Sequence, residues 1–140
     1  MIDSKKIYSL SEIKEKLTPL SKEEGLQLVL LFGSVASGKM YKQSDIDLGF
    51  LYDGSVDILD LTNKVIRLLH NDRVDVIDLR YASPLLKFSA ARQGKLLYER
   101  SPGLFNSFYS LAFRRYIDTR KIREAQGNAI EHFLEEKGLI

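Results

Sequence analysis

The chain has no cysteine, so disulfides, thiolate zinc sites and a cysteine nucleophile are excluded. Histidine is nearly as scarce. His70 and His132 stand far apart, which excludes a multi-histidine metal cage. Neither sign of charge dominates: 21 Lys and Arg face 19 Asp and Glu, for a net +2, too near zero to argue for nucleic acid by itself. No apolar run approaches the length of a membrane span, and the opening segment MIDSKKIYSLSEIKEKL is polar and charged, unlike a secretory signal. A cytoplasmic protein is the default expectation. What remains is ordinary for a globular domain: 140 residues, 44% apolar and 29% charged, enough for one real core. Repeats, low-complexity tracts and linkers are not visible.

The punctuation of the chain predicts alternating helices and strands. Ser9-Leu10-Ser11-Glu12 has capping-box spacing, and Ile13, Leu17 and Leu20 predict a short helix ended near Pro19. LQLVLLF, residues Leu26–Phe32, reads as a strand buried on both faces. DIDLGFLY, Asp45–Tyr52, is a second strand. Ser55 is predicted to cap a helix carrying Ile58, Leu61, Val65, Leu68 and Leu69. RVDVIDL, Arg73–Leu79, is a third strand. Ser83-Pro84 opens a helix that Gly94 ends, and KLLYE, Lys95–Glu99, is a fourth strand. Ser101-Pro102 repeats the cap-and-proline signal before a long helical tail that Gly127-Asn128 is expected to interrupt. The order implies an α/β domain around a mixed sheet.

Chemistry enters at Gly33. Gly33-x-x-x-x-Gly38-Lys39 follows an apolar run and matches a phosphate-binding P-loop until its last position, where Met40 replaces the hydroxyl that would ligate Mg²⁺. The P-loop match is coincidental, because the carboxylates downstream ask for a different device. In Ser44-Asp45-Ile46-Asp47-Leu48, side chains two apart on a strand share a face, so Asp45 and Asp47 project together while Ile46 and Leu48 turn to the core. Paired carboxylates repel, and a divalent cation removes the conflict. A third acid is expected from a neighbouring strand. In RVDVIDL, Asp75 shares a face with Arg73 and Ile77, and Asp78 shares the other with Val74 and Val76. Asp75 is chosen for its mid-strand place among β-branched residues, in what reads as a buried context; Asp78 is expected at the strand end. Each feature alone has an ordinary reading: a DxD in an exposed turn, a Gly-Ser turn, a salt-bridged edge Asp. Their conjunction in this order is far more specific.

Gly33-Ser34, the ten residues Val35 to Ser44, and Asp45-Ile46-Asp47-Leu48 resemble the pattern of the DNA polymerase β-like nucleotidyltransferase superfamily, with Asp75 where that superfamily carries its third carboxylate. The short length, the early motif and the GKLLYE segment resemble its minimal nucleotidyltransferases. The likeness covers about residues 25–100, and the tail, about 103–137, more weakly; a single domain of 1–140 is expected. It implies the polymerase β-like fold, a mixed sheet with flanking helices and a C-terminal helical tail. It also implies transfer of AMP from ATP to a hydroxyl. Gly33 and Ser34 would hold the β- and γ-phosphates. Asp45, Asp47 and Asp75 would be the catalytic and metal-binding residues, for two Mg²⁺ ions about 4 Å apart, with Asp75 also the general base. One departure stands out. Many relatives have arginine before the second glycine where this chain has Ser37, and Lys39 is the substitute cation.

About forty residues follow Glu99, too few for a second, acceptor-recognising domain, so a protein acceptor is expected. Minimal nucleotidyltransferases pair with HEPN-domain proteins, and the resemblance implies an antitoxin that adenylylates a tyrosine of a HEPN ribonuclease toxin. Nucleic acid is not required, and homo- or hetero-oligomers are both open. The rivals are an antitoxin that neutralises by occlusion alone and a transferase of small molecules such as an aminoglycoside. In the tail, Phe105, Phe108, Tyr109, Ala112, Phe113, Tyr116 and Ile117 cover more than one face. They pack on their own domain or serve a partner. Arg114, Arg115, Arg120, Lys121 and Arg123 read first as a solvated helical face, with contact to an acidic partner or RNA second. Tyr8, Tyr41 and Tyr52 read as packing residues, and His70 as a residue favouring a helix C-terminus.

Overall fold

The computed structural model describes residues 9–33 and 46–138. Its elements are α1 (Leu10–Lys16), a 3₁₀ turn (Thr18–Lys22), β1 (Leu26–Phe32), β2 (Ile46–Tyr52), α2 (Ile58–Leu69), β3 (Val74–Asp78), α3 (Pro84–Gln93), β4 (Lys95–Glu99) and α4 (Leu104–Glu136). The four strands form one mixed sheet in the order β3-β2-β1-β4. β1 pairs antiparallel with both β2 and β4, and β2 pairs parallel with β3 across the α2 crossover. The expected α/β class and all four strands are present.

One face of the sheet is closed. Leu31, Ile46, Leu48, Phe50 and Val76 form a continuous cluster with Ile13 of α1 and with Leu61, Val65 and Leu69 of α2. The spacing of those three α2 residues lines one side of a helix, as its amphipathic sequence requires. On the other face, Leu30, Leu79 and Ala90 make a smaller cluster with Leu51, Ile77, Leu96, Phe105 and Phe108, under α3 and α4.

Ser9 accepts a hydrogen bond from the Glu12 N–H (3.1 Å), and Ser83 accepts one from Leu86 N–H (3.1 Å), as their spacing predicts. Leu17 caps α1, and Leu20 belongs to the 3₁₀ turn rather than to the helix. Ser55 does not cap α2. Asp57 does, accepting from Asp60 N–H at 3.1 Å, because its carboxylate lies within reach of the first orphan amides and Ser55 is two residues too early. Ser101-Pro102 likewise does not cap α4. Gly103, at φ +94°, holds the N-cap place, and the Glu99 carboxylate reaches across from β4 to accept from Phe105 N–H at 3.0 Å.

The expected break at Gly127-Asn128 is absent, since α4 runs unbroken for 33 residues. An exposed interior glycine costs a helix only about 1 kcal/mol, so it need not end one. The first half of α4 packs on α3 around Phe88, whose ring stacks on Tyr116 at 4.5 Å and meets Tyr109 edge-on at 6.3 Å. The second half presents Ile122, Ile130 and Phe133 to solvent, each more than half exposed, on one side of the helix by their spacing. No helix among the described residues is long and apolar enough to cross a membrane.

Candidate active site

β1 ends in Phe32, and Gly33 turns the chain away with φ +81°, a left-handed conformation that costs other residues about 1–2 kcal/mol. A second constraint is steric. A Cβ at Gly33 would run into Oδ2 of Asp47 and stand 3.1 Å from its Cγ. The glycine therefore lets the Asp47 carboxylate lie directly against the backbone. This contact follows from register, because Phe32 pairs with Asp47 across β1 and β2.

The same register logic carries Asp75 to the site. β2 and β3 run parallel with Ile46 opposite Val74, Asp47 opposite Asp75 and Leu48 opposite Val76. Paired residues on neighbouring strands point to one face, about 5 Å apart. Asp47 and Asp75 are therefore abreast on the face opposite the main core, while Ile46 and Leu48 are buried beneath. Two carboxylates opposite one another repel and destabilise a sheet, and this is an arrangement that a bound cation relieves. Their hard oxygens suit Mg²⁺.

Asp47 is half-buried, and Asp75 is exposed rather than in the buried context its neighbours suggested. The reason is topological: β3 is an edge strand, so Val74 and Val76 cover the core from one face only. Asp78 closes β3, where its carboxylate accepts from Arg80 N–H at 3.0 Å. It lies at the strand end as expected and takes no place beside Asp47. Asp45, Ser34 and Lys39 lie outside the described residues, as do Tyr8 and Tyr41. Among the described residues no group of three His, Cys, Asp or Glu is arranged to hold a metal ion, so a triad would need Asp45.

A second polar cluster, which no local sequence pattern announces, ties the closed face together at its edge. Tyr52 donates its hydroxyl to Glu23 (3.1 Å), Lys64 donates to the same carboxylate at 2.9 Å, and Asp60 is 3.2 Å from Lys64. Burial first, then the charge of Glu23, pushes the Tyr52 phenol well above its ordinary range. Glu23 and Asp60 raise the Lys64 ammonium. The i,i+4 spacing of Asp60 and Lys64 was the only part of this cluster that sequence could have offered. Tyr52 is a packing residue, as expected, and is 6% exposed. His70 does more than favour a helix end: it is the C-cap of α2 at φ 53°.

The family model described as polymerase beta, nucleotidyltransferase, matches residues 13–103. The protein adenylyltransferase MntA of Aphanizomenon flos-aquae is 29% identical over 147 residues, covering 96% of this chain and 98% of the relative. Among solved structures, a chain of a toxin–antitoxin crystal structure with AMP-PNP superposes with a TM-score of 0.75 at 28% identity, covering 89% of this chain and 99% of that one. A structure of the tri-AMPylated Shewanella oneidensis HEPN toxin in complex with an MNT antitoxin gives a TM-score of 0.71 at 27% identity, covering 87% and 98%.

Proposed function

The chain belongs to the polymerase β nucleotidyltransferase family, and from that premise we propose that it is a single-domain, Mg²⁺-dependent protein adenylyltransferase. It moves AMP from ATP to a tyrosine of a HEPN toxin and so acts as the antitoxin in the cytoplasm. The nucleotidyltransferase core occupies about residues 25–100, and α4 is the tail. The observation that carries the reading is the register that sets Asp47 beside Asp75 with Gly33 against the Asp47 carboxylate. The names of the relatives support the acceptor: one is a protein adenylyltransferase, and another structure holds an AMPylated HEPN toxin.

In this mechanism Gly33, lacking a side chain, lets the backbone approach the β- and γ-phosphates, and the Ser34 hydroxyl and Lys39 add contacts on the same side. Asp45, Asp47 and Asp75 would hold Mg²⁺, which when bound neutralises phosphate charge and lowers the pKa of the acceptor hydroxyl. Asp75, exposed at the sheet edge, takes the proton of the incoming tyrosine. The tyrosine oxygen forms a bond to the α-phosphorus as the bond to the bridging oxygen breaks, and pyrophosphate leaves in line. The chain contributes orientation and fixed charge. The exposed Ile122, Ile130 and Phe133 of α4 are apolar surface available to the toxin.

The test uses the purified chain, Mg²⁺, a HEPN partner and ATP labelled separately at the α- and γ-phosphates. Transfer of α-label alone to a toxin tyrosine, lost in Asp47→Ala, is expected. Neutralisation of the toxin by Asp47→Ala without label transfer would replace the enzyme with an occluding antitoxin. Label on a small molecule alone would replace the acceptor.

A further inference from the structure

At the end of β2 away from Asp47, a cavity of about 240 Å³ opens between α3, α4 and the turn after β3. Leu51, Phe108 and Ala112 give it an apolar floor. Three cations from three separate elements line it: Arg80 from the turn, Lys87 from α3 and Arg115 from α4. Leu51 is four residues beyond Asp47 on the same strand, which at ~3.3 Å per residue sets the cavity about 13 Å from the candidate active site.

No ion pair joins any of the three cations to a carboxylate among the described residues. The Arg80 guanidinium lies 5.4 Å from the Tyr81 ring centroid. Burial and the neighbouring Arg115 hold the Lys87 ammonium below its ordinary pKa, and Asp78 offsets this only in part. The Asp78 carboxylate is itself engaged by the Arg80 backbone N–H. Lys87 and Arg115 repel one another, neither has an ion pair among the described residues, and a bound anion would offset that repulsion. Three donors from different directions suit a tetrahedral dianion better than a planar monoanion, and arginine forks match phosphoryl oxygens two at a time. The cavity is smaller than those that enclose drug-sized ligands, and its floor would receive a compact apolar group.

We propose that this pocket binds a small organic phosphate monoester, its phosphoryl group held by Arg80, Lys87 and Arg115 and its apolar body set against Phe108 and Leu51. The pocket is separate from the nucleotidyl-transfer site. It gives the chain a second phosphate-recognising surface, one that reports on the supply of phosphorylated metabolites or positions a phosphorylated ligand beside α4.

Phenyl phosphate is the probe, titrated calorimetrically into the full chain in phosphate-free, low-salt buffer. Saturable binding with a Kd of about 1 mM or tighter is expected. It should weaken about 10-fold or more in Lys87→Gln and in Arg115→Gln, as loss of a charge-assisted bond implies, and be unchanged in Asp47→Ala. Without ligand, Lys87→Gln should raise the thermal midpoint, since it removes the repulsion; that also shows the variant is folded. The proposal is overturned by absence of saturable binding, by equal affinity in Lys87→Gln and Arg115→Gln, by loss of binding in Asp47→Ala, or by a fall in the Lys87→Gln midpoint.

Discussion

Beneath α1 and α2, the sheet offers Leu31, Ile46, Leu48, Phe50 and Val76, all buried in one continuous cluster. On its other face the same β2 strand offers Asp47, Gly49 and Leu51, and β3 offers Asp75 and Ile77. There α3 and α4 cover only the apolar remainder. The strand alternates, so each polar position on the open face is one residue from a sealed position on the closed face. Stability and the proposed chemistry thus fall on opposite sides of a single strand, and substitutions one or two residues apart should separate them.

The largest separation is expected from Asp47→Ala. It removes a carboxylate that would hold Mg²⁺ in the proposed reaction, and adenylyl transfer should fall about 100- to 1,000-fold or more. Its thermal midpoint should shift far less than that of a core variant, because Asp47 is half-buried on the open face whereas the core side chains are fully buried. Steady-state transfer and thermal unfolding, measured on one preparation, check both. A large loss of stability with activity intact would reverse the assignment of faces.

Phe50→Ala probes the closed side. The ring is fully buried, and its removal leaves a cavity as well as losing transfer energy, about 3–5 kcal/mol. Denaturant unfolding should show this loss, while the residual folded fraction retains its kcat. If kcat fell in proportion at low temperature, where the variant is folded, the two faces would be coupled through β2.

Much of this arrangement is legible in the sequence, and the illegible parts share a cause. β1 and β4 fall on the expected residues because each is a short segment started after a glycine, Gly25 or Gly94. Face parity in DIDL and RVDVIDL follows from the period of a strand alone. The adjacency of Asp47 and Asp75 needed the inter-strand register, which no local pattern carries, and the exposure of Asp75 needed the knowledge that β3 is at the edge. The misplaced caps at Ser55 and Ser101 are the same kind of error. Several hydroxyls and carboxylates surround each helix start, and only the fold decides which one meets an orphan amide; for α4 it is Glu99 from another element. Lys87 and Arg115 come together only because α3 and α4 pack.

Gly49→Ala should sharpen the comparison from the apolar part of the open face. A Cβ there would stand 2.9 Å from Cδ1 of Leu79, a fully buried residue, so the Leu79 side chain must shift within its packing. A loss of about 1–3 kcal/mol is expected, with a smaller fall in transfer than Asp47→Ala causes. Wild-type stability in this variant would mean that the covering of the open face is loosely packed and that the division between faces is less sharp than the contacts imply.

The smallest effect belongs to Tyr52, at the edge of the closed face, and it is read through pH. Its phenol is raised above the ordinary 10.0 by burial and by Glu23. A raised folded-state pKa favours the protonated form in the native state. The associated stability is therefore complete below pH 10.0 and is lost as pH rises from there through the folded value. Lys64, raised by the same Glu23 carboxylate and by Asp60, loses its contribution in the same direction, so the cluster should weaken under alkaline conditions. Tyr52→Phe removes one hydrogen bond and leaves Glu23 to Lys64, which should cost about 0.5–1.5 kcal/mol at neutral pH. The variant should also have a flatter stability curve above pH 10.0, since one of the two titrating groups is gone. Unfolding free energies of both proteins across neutral and alkaline pH give the slope directly. Parallel curves would mean that Lys64 alone carries the alkaline loss, and that the phenol of Tyr52 closes this face by packing rather than by its proton.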